Sequence, residues 1–332
     1  MDSRYYGHNN QLYGVEQMRL EGSGRGDGMR LLSVRNGGGL DVLFSVDRCV
    51  DPSRVTFKGV NYGFFGLAGW THPAYFDGVN YGKAANGGFM QTCGLENIGI
   101  PSVDNGEALS QHGTIGLTPA ESISHWIQDD TIIIRAAMNT VGMSMHRMRL
   151  LRTIRIPLFG NTISFEDTAE NYGENPAPIM ILYHINTAYP LLHEDSILKI
   201  NSVDVKPRTD HAAKDIDTWD KILPPQPGYM EQCYYHFFDP AQKAYAALYN
   251  PNIDKGLAIT FDQSTLDRIL QWKQVGVKNY VMGLEPGNSF LEGRDKEREA
   301  GRLKFLAPGE TMTFKVNLEF FDGRAAMGEY LD

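Results

Sequence analysis

From Met312 to Phe320 the chain alternates strictly: Met312, Phe314, Val316, Leu318 and Phe320 are apolar, and Thr313, Lys315, Asn317 and Glu319 between them are polar. A period of two puts one face of an extended strand in a core and the other in water, a pattern no helix can satisfy. The turn signal Ala307-Pro308-Gly309-Glu310 precedes it, so the pair reads as the end of an antiparallel unit. Further strands are predicted over residues 40–46, 131–138, 152–157, 179–185, 234–238, 244–249, 257–261 and 280–284, which are rich in β-branched and aromatic residues and mostly bounded by breakers. The 35 glycines and 16 prolines are scattered along the chain rather than gathered in a linker, as many strands and turns require. Helix signals are few, the clearest being a charged stretch over 292–300 stopped by Gly301.

No βαβ alternation, GxGxxG or GxxxxGK[ST] is present, and Gly37-Gly38-Gly39 is not followed by a helical pattern, which argues against a nucleotide-binding fold. There is no internal repeat of a propeller or solenoid. The polar, proline-rich stretch 201–227 reads as a long loop or rim, because strand-like sequence resumes after it without a change of composition. With 42% hydrophobic residues among 332, the chain can build a large core, as one big β domain or two smaller ones. Acidic residues outnumber basic ones 40 to 31, a net charge of -9, which excludes nucleic acid as the expected partner. The polar start 1–10 lacks the apolar core of a secretory signal, and no stretch reaches the roughly 18 apolar residues of a membrane helix. A soluble cytoplasmic protein that binds no membrane is expected, its oligomeric state open. Cys49, Cys93 and Cys233 are an odd number without CxxC spacing and are expected to be reduced, buried thiols.

Three residues carry most of the chemical promise. His112 lies in Gln111-His112-Gly113, where the glycine lets backbone approach a ligand closely. His184 ends an apolar run in Tyr183-His184-Ile185-Asn186, and Glu285 follows Val281-Met282-Gly283-Leu284 directly into Pro286-Gly287. A carboxylate delivered there by an apolar strand is expensive to desolvate unless paired or used, and imidazole is suited to proton transfer near neutrality. Trp272-Lys273 could set a flat apolar face beside a cation, a pairing that suits sugars. No HExxH or other short metal-ligand spacing occurs.

Taken together, Thr71-His72-Pro73-Ala74-Tyr75, Gln91-Thr92-Cys93-Gly94-Leu95, Gln111-His112-Gly113, Tyr183-His184-Ile185-Asn186 with Tyr189-Pro190-Leu191-Leu192, Trp272-Lys273 and the 280–288 segment resemble the aldose 1-epimerase, or galactose mutarotase-like, superfamily, in an uncharacterised branch. The resemblance spans roughly residues 40–325 and implies an all-β fold, a β-supersandwich of large antiparallel sheets with few short helices, over 1–332 as a single domain. It implies an isomerase, an aldose 1-epimerase acting on a small-molecule carbohydrate without metal or organic cofactor. By position His112, His184 and Glu285 match the family's two histidines and glutamate. Glu285 as carboxylate would take the anomeric proton, His184 as imidazolium would protonate the ring oxygen, and His112 would hold the ring oxygen or a neighbouring hydroxyl. Ring opening, rotation about C1–C2 and closure then give the other anomer.

The chain departs from the family pattern where Gln111 replaces an asparagine, and where the aspartate that grips a sugar hydroxyl has two candidates, Asp239 and Asp262. Trp272, Tyr183 and Asn186 are expected to touch substrate, and Lys273 and Arg48 could supply donors to an oxidised, acidic or phosphorylated sugar. The alternatives are an isomerase of such a sugar, a carbohydrate-binding protein without catalysis, and a metal-dependent sugar isomerase of another β fold.

Overall fold

The computed structural model describes residues 3–22, 24–85, 87–140 and 146–331. The chain forms antiparallel sheets with a few short helices. A five-stranded meander runs in chain order through Gly14–Arg19, Arg30–Arg35, Leu40–Ser45, Asp51–Phe57 and Val60–Asn61. An eight-stranded sheet has the order Ile197–Ile200, Tyr245–Asn250, Lys255–Phe261, Thr311–Asp322, Thr162–Asn171, Met148–Pro157, Thr131–Thr140 and Ser122–Gln128. The alternating C-terminal strand lies inside this sheet, with Leu318 opposite both Ile163 and Ile259. Phe314, Val316, Leu318 and Phe320 are buried on its alternating face, and Phe321 is buried beside them.

The third large sheet carries the site. Its strands, in chain order, are β1 (Met90–Leu95), β2 (Met180–Ala188), β3 (Asp204–Pro207), β4 (Gln232–Phe237), β5 (Arg268–Gly276) and β6 (Asn279–Gly287), paired in the order β3-β4-β5-β6-β2-β1. One apolar cluster running from Leu32 to Phe320 draws side chains from all three sheets, among them Val42, Ile154, Tyr183, Leu284 and Phe314.

The predicted strands are present, displaced at their ends by a few residues. Residues 292–300 contain the short helix Arg294–Glu299, followed by Gly301 at φ +67°. The long rim over 201–227 holds β3 and the helical turn Asp210–Ala213. Two strands, Thr162–Asn171 and β5, escape the alternation rule because polar residues occupy buried positions. Asp167 is buried because Arg152 neutralises it, and Arg268, Gln271 and Lys273 are buried within β5. Among the described residues no helix is long and apolar enough to cross a membrane.

Candidate active site

Antiparallel register brings the principal groups together. Asn186 of β2 faces Gly283 of β6, and Leu182 faces Gly287, so His184, midway between them, stands across from Glu285. Gln91 of β1 is opposite His184, and Leu270 of β5 is opposite Glu285. Directly opposed residues share a sheet face. One row across the sheet is therefore Leu270, Glu285, His184, Gln91, and the next is Cys233, Trp272, Gly283, Asn186.

This face floors a cavity of about 460 Å³ whose wall includes His112, His184, Glu285, Trp272, Arg208 and Glu231. His184 Nε2 lies 3.2 Å from Glu285 Oε1, but the contact lacks the alignment of a hydrogen bond, and Oε1 has no other partner. The imidazole of His184 stands edge-on to His112, ring centres 5.6 Å apart, and to Trp272 at 5.4 Å. Of the nine buried side-chain polar atoms without a partner among the described residues, three are Glu285 Oε1, His184 Nδ1 and Asn186 Oδ1, all on residues lining this cavity. Buried polar atoms are ordinarily satisfied, and these three orphans stand together on residues of one sheet face beside the cavity.

Local backbone explains the placement. A Cβ at Gly283 would run into Glu285 Oε1, so the glycine supplies the space in which the carboxyl lies. His112 adopts φ +58°, and Gly113 after it packs where any side chain would strike the carbonyl of Gly94. The backbone N–H of Gly99 points to His112 Nδ1 at 3.4 Å. An accepting Nδ1 leaves the neutral ring's proton on Nε2, making His112 a donor.

Burial sets the charges. It is the main cause lowering His184 to about 4 and His112 to about 3, the latter helped by neighbouring His184 and Arg208. Glu285 is pushed well above the usual carboxylate range by burial and then by the charge of Glu231. Burial thus works against charge on both groups, favouring the protonated carboxyl and the neutral imidazole. Cys233, also on the wall, is pushed up to about 12 by burial and stays a thiol.

The residues named from the sequence divide. Glu285, His184, His112, Trp272 and Asn186 line the cavity; Lys273, Arg48, Tyr183, Asp239 and Asp262 do not. Lys273 points to the other sheet face, because strand neighbours alternate, and its Nζ donates to the carbonyl of Thr218 at 3.3 Å. Arg48 is buried and donates to the carbonyls of Thr71 and Ala84, fastening the segment that supplies Tyr81 and Gly82 to the cavity wall. Tyr183 is fully buried and its hydroxyl donates to Asp167 at 2.8 Å. Asp239 and Asp262 accept from nearby backbone N–H groups in exposed turns.

Sequence reasoning passed over Arg208, Glu231 and Tyr81. Glu231 accepts from Trp272 Nε1 at 2.7 Å, and Arg208 is paired with Glu292 at 2.9 Å. Glu231 precedes β4 in phase with cavity-lining Cys233, a signal visible only once the strand's inner face is known. Among the described residues no three His, Cys, Asp or Glu side chains are grouped to hold a metal ion.

The fold that carries this cavity is galactose mutarotase-like, as solved structures show. A candidate aldose 1-epimerase from Klebsiella pneumoniae superposes with a TM-score of 0.90 at 25% identity, covering 97% of this chain and 88% of that one. A galactose mutarotase-like protein from Clostridium acetobutylicum gives 0.68 at 12% identity, covering 94% and 100%. A galactose 1-epimerase from Lactobacillus acidophilus gives 0.65 at 11%, also covering 94% and 100%. The model of the family described as a domain of unknown function (DUF4432) matches residues 26–320, and the chain belongs to that family. No curated protein matches it.

Proposed function

We propose that the chain, acting as one domain over 1–332, is an aldose 1-epimerase that interconverts sugar anomers by acid–base ring opening. The observation that carries this reading is the contact of His184 Nε2 with Glu285 Oε1 at 3.2 Å inside a cavity edged by His112 and Trp272. Anomer exchange needs one acid and one base within reach of the same sugar, and a carboxyl–imidazole pair holding a single proton supplies both.

The pair shares one proton, and the reacting form carries it on His184 Nε2 with Glu285 as carboxylate. Glu285 takes the proton of the anomeric hydroxyl while Nε2 gives its own to the ring oxygen, so the ring opens and the pair's proton ends on Glu285. The pair keeps one proton throughout and is restored when the ring closes on the other face. His112, donating from Nε2, steadies the ring oxygen or a neighbouring hydroxyl. Trp272 offers an apolar ring face, and Glu231 is better placed than Asp239 or Asp262 to accept from a sugar hydroxyl.

Exchange spectroscopy by NMR on a panel of aldoses tests this. Glu285→Gln keeps the shape and removes the titrating carboxyl, so turnover should fall on the order of 10²–10⁴-fold with sugar affinity changed only modestly. Wild-type turnover in the variant would exclude the mechanism. Binding without exchange in the wild type would favour the non-catalytic carbohydrate-binding reading.

A further inference from the structure

A second cavity of about 500 Å³ adjoins the first, and Phe64 lines both. Along one face of β2, His184 and Asn186 line the first and Ala188 the second. At about 3.3 Å per residue, Ala188 lies roughly 13 Å from His184. That span is longer than one pyranose ring and suits two joined end to end.

The second cavity differs in chemistry. Its wall includes Phe65, Trp70 and Tyr189, and its charged members are Arg54 and Lys278, with no carboxylate. Phe65 and Trp70 meet edge to face at 4.9 Å, and Tyr189 is 66% exposed. Other polar groups on the wall are spent internally: Tyr280 donates to the carbonyl of Leu223, and Asn61 to those of Gly63 and Tyr189. Neither Arg54 nor Lys278 is paired with a side chain among the described residues, although the chain's net charge is -9. Lys278 sits in the two-residue turn joining β5 to β6 at φ +63°, a conformation that glycine or asparagine takes more cheaply. Two unpaired cations between aromatic walls suit an anion carried on a sugar ring.

We propose that the second cavity binds an anionic group, phosphate or carboxylate, on the non-reducing unit of a reducing disaccharide whose reducing ring occupies the catalytic cavity. The proposal rests on the anomer-interconversion reading for the role of the first ring. Its test compares glucose, cellobiose, cellobiose phosphorylated at C6 of the non-reducing unit, and the corresponding uronic acid. Anomer exchange and affinity are each measured for wild type and the double variant Arg54→Ala/Lys278→Ala.

The wild type should favour at least one anionic disaccharide over cellobiose by on the order of tenfold or more in kcat/KM and in affinity, and the anion preferred distinguishes phosphate from carboxylate. In the double variant that ratio should collapse towards one, while glucose, confined to the first cavity, reports that the catalytic groups are intact. Equal treatment of charged and neutral disaccharides by the wild type, or a preference that survives in the double variant, would overturn the proposal. Tighter binding of the anionic disaccharide, abolished by the double variant with no exchange on any sugar, would defeat the epimerase reading and leave the subsite standing. Catalysed exchange of glucose without charge preference would do the reverse.

Discussion

Burial favours the protonated form of Glu285, whose carboxyl is 1% exposed, and the neutral form of His184. These two shifts act on one pair, so its titration belongs to the pair rather than to either residue. Productive catalysis needs one proton shared between them. A second proton arrives as pH falls through about 4, where His184 charges. On the alkaline side the shared proton is lost well above the ordinary carboxylate range. The expected rate profile therefore has its acid limb near pH 4 rather than near the usual histidine value of about 6.5. An acid limb in kcat/KM centred near 6.5 would show instead that His184 works as a solvated imidazole.

At the scale of strands, the pair is held from behind. Tyr183 and Thr92 are cross-strand partners on the interior face of β2 and β1, adjacent in sequence to His184 and Gln91 on the cavity face. Below them Arg152, fully buried, donates to Asp167, Asp51 and Thr92 at 2.6–2.7 Å, while Tyr183 also donates to Asp167. This network ties both strands to the eight-stranded sheet through Arg152 and Asp167. Tyr183→Phe removes one hydrogen bond to a carboxylate that Arg152 still neutralises, and should cost on the order of 1–2 kcal/mol by urea unfolding with kcat nearly intact. Arg152→Met leaves two buried carboxylates uncompensated and should cost about 3–5 kcal/mol. A loss of sugar affinity in Tyr183→Phe without loss of stability would return Tyr183 to the substrate.

Over the whole molecule, burial of titratable groups makes stability depend on pH. His112, His184 and His236 are lowered to about 3, 4 and 4, in each case first by burial. A depressed folded value means the native state favours the neutral ring. That stability is complete above the unfolded value near 6.5 and is lost as pH falls towards the folded values. Glu285 has the opposite sign: its raised value contributes below about 4.5 and is lost as pH rises through the folded value. Between pH 6.5 and 4.5 each of these rings lowers the unfolding free energy by up to about 1.4 kcal/mol per pH unit as pH falls, while Glu285, Asp51 and Glu96, all raised by burial, act in the opposite direction. Urea titrations at several pH values on wild type and His236→Gln isolate one ring: the variant should lose the His236 share of the slope, and identical slopes would contradict the burial of that ring.

What the sequence determined by itself is whatever repeats locally. Alternation from Met312 to Phe320 needs only nearest neighbours to declare a strand, and Gly301 needs only its own conformational freedom to stop a helix. His112, His184 and Glu285 were legible because each breaks its local pattern, a polar group set among glycines or at the end of an apolar run. The shift of the His184 and Glu285 pair comes from solvent exclusion by strands nearly two hundred positions apart, which no local run of residues encodes. The same is true of Lys273, Arg48 and Tyr183. Charge and aromaticity recommended them, but strand alternation turned Lys273 and Tyr183 away from the cavity, and Arg48 was taken by two backbone carbonyls. Glu231 and Arg208 reach the cavity through sheet order, which pairs β4 with β5 and sets β3 at the edge, an arrangement fixed by packing between sheets rather than by any local run of residues.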